Sequence, residues 1–285
     1  MTSVNWTAVR ADDFRIPVGH GLAELIAELS EMLRSPKPEV RDSLAYSTLS
    51  AWIMGGQLPR DQQTELGDRM AERLTDPAVQ ARTFAPLILA CLADRDLVED
   101  RWVIAFERWY PTEADLRGYD SSLGWLHAVA HGADLLGEFG MTSTVDPQRM
   151  LRLATARLTA PTDFVWRDQE DDRLGYAIAQ TLTRDDLGPA EVTGWLDPIE
   201  AMLEKPPEVP IPPSVSNALR TLRSLYVLLG TGVRVRGQDL PLVPMHAPLV
   251  KGRLVEVLHH RTAWMWCAVA VRSDSGRPPF GHCRW

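Results

Sequence analysis

The chain has 285 residues, of which 45% are hydrophobic and 24% are charged, and this composition is typical of a soluble globular protein. The formal net charge of -8 argues against a protein that holds nucleic acid through its overall field, so no nucleic-acid partner is expected. Three cysteines, none in a CxxC pair, form no disulfide framework, which favours a reducing, cytoplasmic location. The longest apolar stretches fall far short of the roughly 20 residues that a membrane span needs, so no membrane association is expected.

Apolar residues recur at helical spacing along the chain, and no convincing run of period 2 interrupts them. The first helix is predicted in "GLAELIAELSEMLRS" (21–35), and the second runs from Pro38 to the Gly55-Gly56 pair that stops it. Further helices are predicted at 60–74, 77–93, 97–109, 120–138, 147–159, 171–184, 189–204, 213–229 and 247–270. Short turns between them indicate antiparallel neighbours.

Two of these helices match each other in sequence. The helix that opens at Pro38 aligns with the helix that opens at Pro77, with Val40 opposite Val79 in the alignment. A helix pair that repeats at about 40 residues has the pitch of HEAT-type repeats. Coincidence between two amphipathic helices is the alternative. The predicted fold is therefore all-α, a HEAT-like solenoid of antiparallel helix pairs.

A proline-rich segment suggests how the chain is divided. "EKPPEVPIPPS" (204–214) holds five prolines and reads as a stiff, extended connector. We predict a main helical-repeat body over 1–204, the connector over 205–214, C-terminal helices over 215–271 that pack on the body, and an irregular tail over 272–285.

One stretch, "GWLHAVAHGADLLGEF" (124–139), combines ligand-type side chains with an apolar background. In a helix over 120–138, His127, His131, Asp134 and Glu138 fall within a strip about 60° wide, which we call the polar strip. No Lys or Arg lies between residues 118 and 148 to neutralise it. The alternative is that the strip is only the water-facing side of a largely buried helix.

Asp120 is the predicted N-cap of this helix and, with Trp125, extends the polar strip to a candidate ligand-binding surface. That surface comprises Asp120, Trp125, His127, His131 and Asp134.

Histidines at i and i+4, followed by a carboxylate one turn on, have the spacing of a three-ligand metal site. His127, His131 and Asp134 are therefore candidate ligands for a divalent metal such as zinc, with Asp120 or Glu138 as a weak candidate catalytic acid or base. The stretch lacks the glutamate that directly follows the first histidine in the zinc-peptidase helix motif.

Two other polar groups have structural explanations. Glu170, Asp171, Asp172 and Arg173 lie at a predicted helix start, where acids are favoured, and a catalytic carboxylate there is the alternative. Arg41 and Asp42 are expected to join neighbouring repeats.

Three segments together resemble a bacterial family catalogued as Domain of Unknown Function 2785. They are "VRDSLAYSTLSAWI" (40–53), "LRGYDSSLGWLHAVAHGADLL" (116–136) and "EDDRLGYAI" (170–178), and the resemblance spans roughly 20–230. The middle segment is the most specific, through Arg117, Asp120, Gly124, Trp125, His127, Ala128, His131 and Asp134. The resemblance implies a helical fold and no particular activity.

Two functions of different classes therefore remain open. The first is a binding module that holds a protein or small-molecule partner on a concave face, lined by His127, His131 and Asp134. The alternative is a metal-dependent hydrolase in which the same three residues hold the ion.

Overall fold

The computed structural model describes residues 4–206 and 208–265, and these residues are mostly helical. The prediction of an all-α protein is confirmed. The predicted tail over 272–285 lies outside the described residues, as do 266–271 of the predicted C-terminal segment.

The helices follow one another along the chain, and a long connection between Trp109 and Ala128 holds a short hairpin. They are α1 (Trp6–Ala11), α2 (Leu22–Met32), the π-helix π1 (Glu39–Tyr46), which continues into α3 (Ser47–Met54), α4 (Arg60–Arg73), α5 (Val79–Asp94), α6 (Asp100–Trp109), α7 (Ala128–Met141), α8 (Pro147–Thr159), α9 (Glu170–Thr181), α10 (Glu191–Gly194), α11 (Asp197–Glu204), α12 (Pro213–Thr231) and α13 (Ala247–Thr262). Among the residues described, no helix is long and apolar enough to cross a membrane.

The prediction of one helix over 120–138 is wrong at its first turns. Strands β1 (Tyr119–Asp120) and β2 (Gly124–Trp125) form a small antiparallel hairpin, and α7 begins only at Ala128. Asp120 does cap backbone N–H groups, but those of Ser122 and Leu123 in the hairpin turn, both at 2.9 Å. Gly124 completes the turn at φ +71°, a conformation that glycine adopts readily.

The longer helices pack in a row that decides where the polar strip lies. The segment formed by π1 and α3 contacts α5, α5 contacts α7, α7 contacts α9, and α9 contacts α12. Asp134, midway along α7, pairs with Arg173 near the start of α9, and Gly140 lies against Thr181 near the ends of both helices. These two helices therefore run in the same direction. The HEAT-like solenoid and the division at the proline-rich connector stay predictions.

Helix α7 lies in the middle of this row and is tightly held. A Cβ on Gly132 would lie 2.2 Å from the ring of Tyr110, so only glycine allows this approach. The Tyr110 hydroxyl donates to the Val129 carbonyl at 2.8 Å. The position of α7, and with it the polar strip, is therefore determined by close packing.

Candidate functional site

Two adjoining cavities lie along the row of helices and share Tyr46 and Leu87 in their walls. We call the first, of about 600 Å³, the histidine cleft; its walls come from π1, α5, β2, α7, α9 and the segment before α9. We call the second, of about 800 Å³, the carboxylate cleft; its walls come from π1, α3, α5, α7, α9 and the segment 234–241.

The candidate ligand-binding residues divide between these clefts. Trp125, His127 and His131 line the histidine cleft, whereas Asp134 and Glu138 line the carboxylate cleft. Asp120 lines neither, since its carboxylate holds the hairpin turn and pairs with Arg117 at 2.5 Å. The helical spacing thus brings His131, Asp134 and Glu138 to one side of α7, but the strip serves two different cavities.

His131 is held in a defined tautomer. Its Nδ1 lies 2.9 Å from the carbonyl oxygen of Thr83 on α5. Because a carbonyl only accepts, Nδ1 carries the proton and Nε2 is left as an acceptor. Burial lowers the pKa of His131 to about 3, so the ring is neutral at physiological pH.

His127 directly precedes the first turn of α7 and has a strained backbone conformation. Its φ of +49° lies in the left-handed region, which costs free energy for a residue other than glycine. Gln169, which precedes α9, has φ +67° and lines the same cleft. Burial lowers the pKa of His127, and the nearby Asp168 carboxylate opposes this shift. Two adjacent helices therefore begin with strained residues that face one cavity.

Aromatic rings form a continuous run from the exposed hairpin into the histidine cleft. The distances between successive ring centroids are 5.0 Å for Tyr119–Trp125, 4.4 Å for Trp125–His127, 5.7 Å for His127–His131, 5.1 Å for His131–Phe84 and 6.2 Å for Phe84–Tyr46. The His127 and His131 rings are stacked, whereas the other contacts are edge-to-face. The wall of the cleft is thus largely aromatic.

Asp134 and Glu138 pair with arginines that lie far from them in the sequence. Arg173 on α9 binds both oxygens of Asp134, with Nε at 2.9 Å from Oδ1. Burial raises the pKa of Asp134, and Arg173 opposes that rise. Burial and the neighbouring Asp134 raise the pKa of Glu138 to about 7. Arg236 donates to Glu138 at 3.1 Å and also pairs with Asp94.

Arg41 on π1 is a site-forming residue that the sequence analysis assigned a different role. It was expected to join neighbouring repeats, but it pairs with the adjacent Asp42 at 2.6 Å and holds the hairpin. Its Nη2 donates to the carbonyl of Leu123 at 2.8 Å and to that of Trp125 at 3.2 Å. The side chain is fully buried and lies over the ring of Phe84. No local sequence pattern indicates this role, because Leu123 and Trp125 lie 82 and 84 residues away from Arg41 in the chain.

The comparison with protein families agrees with the resemblance. The model of a family described as "Protein of unknown function (DUF2785)" matches residues 67–227, which is more than half of the chain. The chain belongs to this family. No curated protein and no solved structure matches it. The matched range contains the hairpin, α7 and α9, whereas Arg41, Asp42 and Tyr46 lie before it.

The capacity for metal ligation is limited by existing hydrogen bonds. In the strip, Asp134 is bound by Arg173 and His131 Nδ1 by Thr83, which leaves His131 Nε2 and the His127 ring as donors to an ion. Over the described ranges 4–206 and 208–265, three metal-ligand side chains have ligand atoms within 4.8 Å of one another at Glu200, Glu204 and His260. Metal binding by His127, His131 and Asp134 stays a prediction.

Proposed function

We propose that the protein is a binding module that holds a small molecule in the histidine cleft. The observation that carries this proposal is the convergence of His127, His131 and Trp125 with Tyr46 and Arg173 on one cavity. These side chains come from separate elements that only the tertiary structure joins. A volume of about 600 Å³ is typical of small-molecule sites.

The cleft is organised before any ligand binds. His131 is held by the Thr83 carbonyl, and the hairpin that carries Trp125 is held by Arg41. The left-handed backbone at His127 and Gln169 stores strain at the cavity. Such strain clusters at functional sites, where it contributes to preorganisation.

The row of helices supports a HEAT-like solenoid of antiparallel helix pairs as the framework. The row from π1 and α3 to α12 would be its inner layer, with α4, which packs on α5, and α8, which packs on α7 and α9, as members of the outer layer. Both clefts then lie on the concave face, where solenoid proteins bind their partners.

A thermal-shift screen with a library of metabolites tests the binding function. A ligand at 100 times its Kd stabilises the folded state by about 2.7 kcal/mol. We expect at least one compound to raise the Tm of the wild type and of Trp264→Ala, an exposed tryptophan outside the clefts, but not of Trp125→Ala. Equal stabilisation of Trp125→Ala would move the site away from the histidine cleft, and a library without hits would refute small-molecule binding.

A metal-dependent hydrolase is the second candidate, and the orientation of His131 favours it. Histidines that ligate metals commonly donate their other ring N–H to a backbone carbonyl, as His131 does to Thr83. Zinc, manganese and iron should be measured by mass spectrometry in the wild type and in His127→Ala/His131→Ala. About one ion per chain, lost in the folded double variant, would support this function. No ion in either protein after incubation with metals would remove it.

A further inference from the structure

We infer that the histidine cleft recognises a neutral saccharide, a ligand whose polar groups are hydroxyls. This inference rests on the proposed binding function and names the chemical class of the ligand. Three properties of the cleft lead to it: balanced charge, a mixture of donors and acceptors, and an exposed aromatic platform.

The charges that line the histidine cleft cancel. Two carboxylates, Asp42 and Asp168, face two guanidinium groups, Arg167 and Arg173. Asp42 pairs with Arg41, and Arg173 pairs with Asp134. Both histidines favour the neutral form. Phosphate and nucleotide ligands are bound by an excess of cationic donors, so this balance favours a ligand without charge.

The polar groups of the cleft are of opposite kinds. His131 Nε2 and the Asp168 carboxylate only accept hydrogen bonds, whereas the Arg167 guanidinium only donates them. A ligand that only accepts would leave the acceptors of the cleft without partners, and that costs free energy in a partly desolvated site. Each hydroxyl both donates and accepts. A polyhydroxylated ring therefore satisfies both kinds of group.

Trp125 provides the apolar surface that such a ring needs. Its side chain is 46% exposed although it lines the cleft, and Arg41 holds the backbone that carries it. Tyr119 and His127 meet the indole at 73° and 66°, so neither ring is stacked flat on it. The exposed part of the indole can therefore pack against the C–H face of a saccharide.

Saturation-transfer NMR and calorimetry with the full chain test the ligand class. The probes are glucose, mannose, galactose, N-acetylglucosamine, xylose, maltose and cellobiose, with glucose 6-phosphate and AMP as charged probes. We expect at least one neutral saccharide to bind, with saturation transferred from aromatic protons to its ring C–H groups. Glucose 6-phosphate should bind at least tenfold more weakly than the best neutral probe.

Variants locate the binding site. Trp125→Ala should weaken saccharide binding at least tenfold, Trp125→Phe should weaken it less because a ring remains, and Trp264→Ala should bind as the wild type does. Since Trp125→Phe preserves an aromatic residue in the hairpin, it separates loss of the platform from misfolding, which circular dichroism checks independently.

The results distinguish a wrongly assigned ligand class from the absence of ligand binding in the cleft. If AMP or glucose 6-phosphate binds in a Trp125-dependent manner and no neutral saccharide does, the class is wrong and the cleft remains a binding site. If no probe saccharide binds and the metabolite screen also yields no Trp125-dependent ligand, both proposals are refuted.

Discussion

The two clefts take side chains from the same helix but hold them in different ways. In the histidine cleft, a backbone carbonyl holds His131, and the Arg41-bound hairpin carries Trp125. In the carboxylate cleft, Asp134 and Glu138 depend on guanidinium groups that arrive from α9 and from the segment 234–241. The first cleft is held by hydrogen bonds to backbone carbonyls, whereas the second is held by ion pairs between side chains. Burial and the neighbouring Asp134 raise the pKa of Glu138 to about 7, so the charge of the second cleft varies with pH.

The largest expected effect comes from removing the residue that builds the histidine cleft. Arg41→Ala leaves two hairpin carbonyls without their donor and Asp42 without its partner. Removing one partner of a buried ion pair of this kind lowers the free energy of unfolding by about 3 to 5 kcal/mol. Urea denaturation measures it, with the exposed Arg15→Ala as control, for which we expect about 0 to 0.5 kcal/mol. Similar values for the two variants would show that Arg41 does not support the hairpin.

The packing that fixes α7 between the clefts should give the next largest effect. Gly132→Ala places a methyl group against the Tyr110 ring, and such overpacking costs about 1 to 3 kcal/mol. Gly252→Ala on α13 is the matched control, since nothing lies within 4 Å of its added Cβ. There the loss of backbone entropy in the unfolded chain should stabilise by about 0.4 to 1 kcal/mol. The prediction fails if both substitutions change the melting temperature in the same direction.

His131 in the histidine cleft should make stability rise with pH, whereas Glu138 in the carboxylate cleft should make it fall. His131 has its pKa lowered from 6.5 to about 3, so between these values the unfolded chain binds a proton that the folded chain does not. Its contribution to stability therefore rises from pH 3 to pH 6.5, by at most about 1.4 kcal/mol per pH unit. His131→Gln should flatten this rise in urea titrations at pH 4.5 and 6.5. His20→Gln, in the turn before α2, should leave it unchanged.

Glu138 should act in the opposite direction and more weakly. Its pKa is raised from 4.5 to about 7, so the folded chain retains a proton that the unfolded chain has released. Its contribution is full below pH 4.5 and is lost as pH rises to 7. Glu138→Gln should therefore gain stability relative to the wild type on going from pH 5 to pH 8. Exposed Glu65→Gln on α4 should show no such gain, and an equal gain would mean that the effect is not specific to the cleft.

Features that depend on neighbouring residues could be predicted from the sequence, whereas features that depend on long-range contacts could not. The apolar period of 3.6 residues predicted most helices, because it reflects which face of each helix is buried. The same period correctly placed His131, Asp134 and Glu138 on one side of α7. It failed over 120–127, where local turn chemistry at Asp120 and Gly124 competes with helix formation and the outcome depends on contacts with π1.

By itself, the sequence determined that the chain is helical, that it belongs to its family, and that histidines and carboxylates recur along one helix. These properties depend on neighbours within a few residues. Only the tertiary structure decided that Arg41 holds the hairpin, that Arg173 and Arg236 neutralise the strip, and that the strip divides between two clefts. Each of these contacts joins residues far apart in sequence, so no local sequence pattern specifies which residues pair.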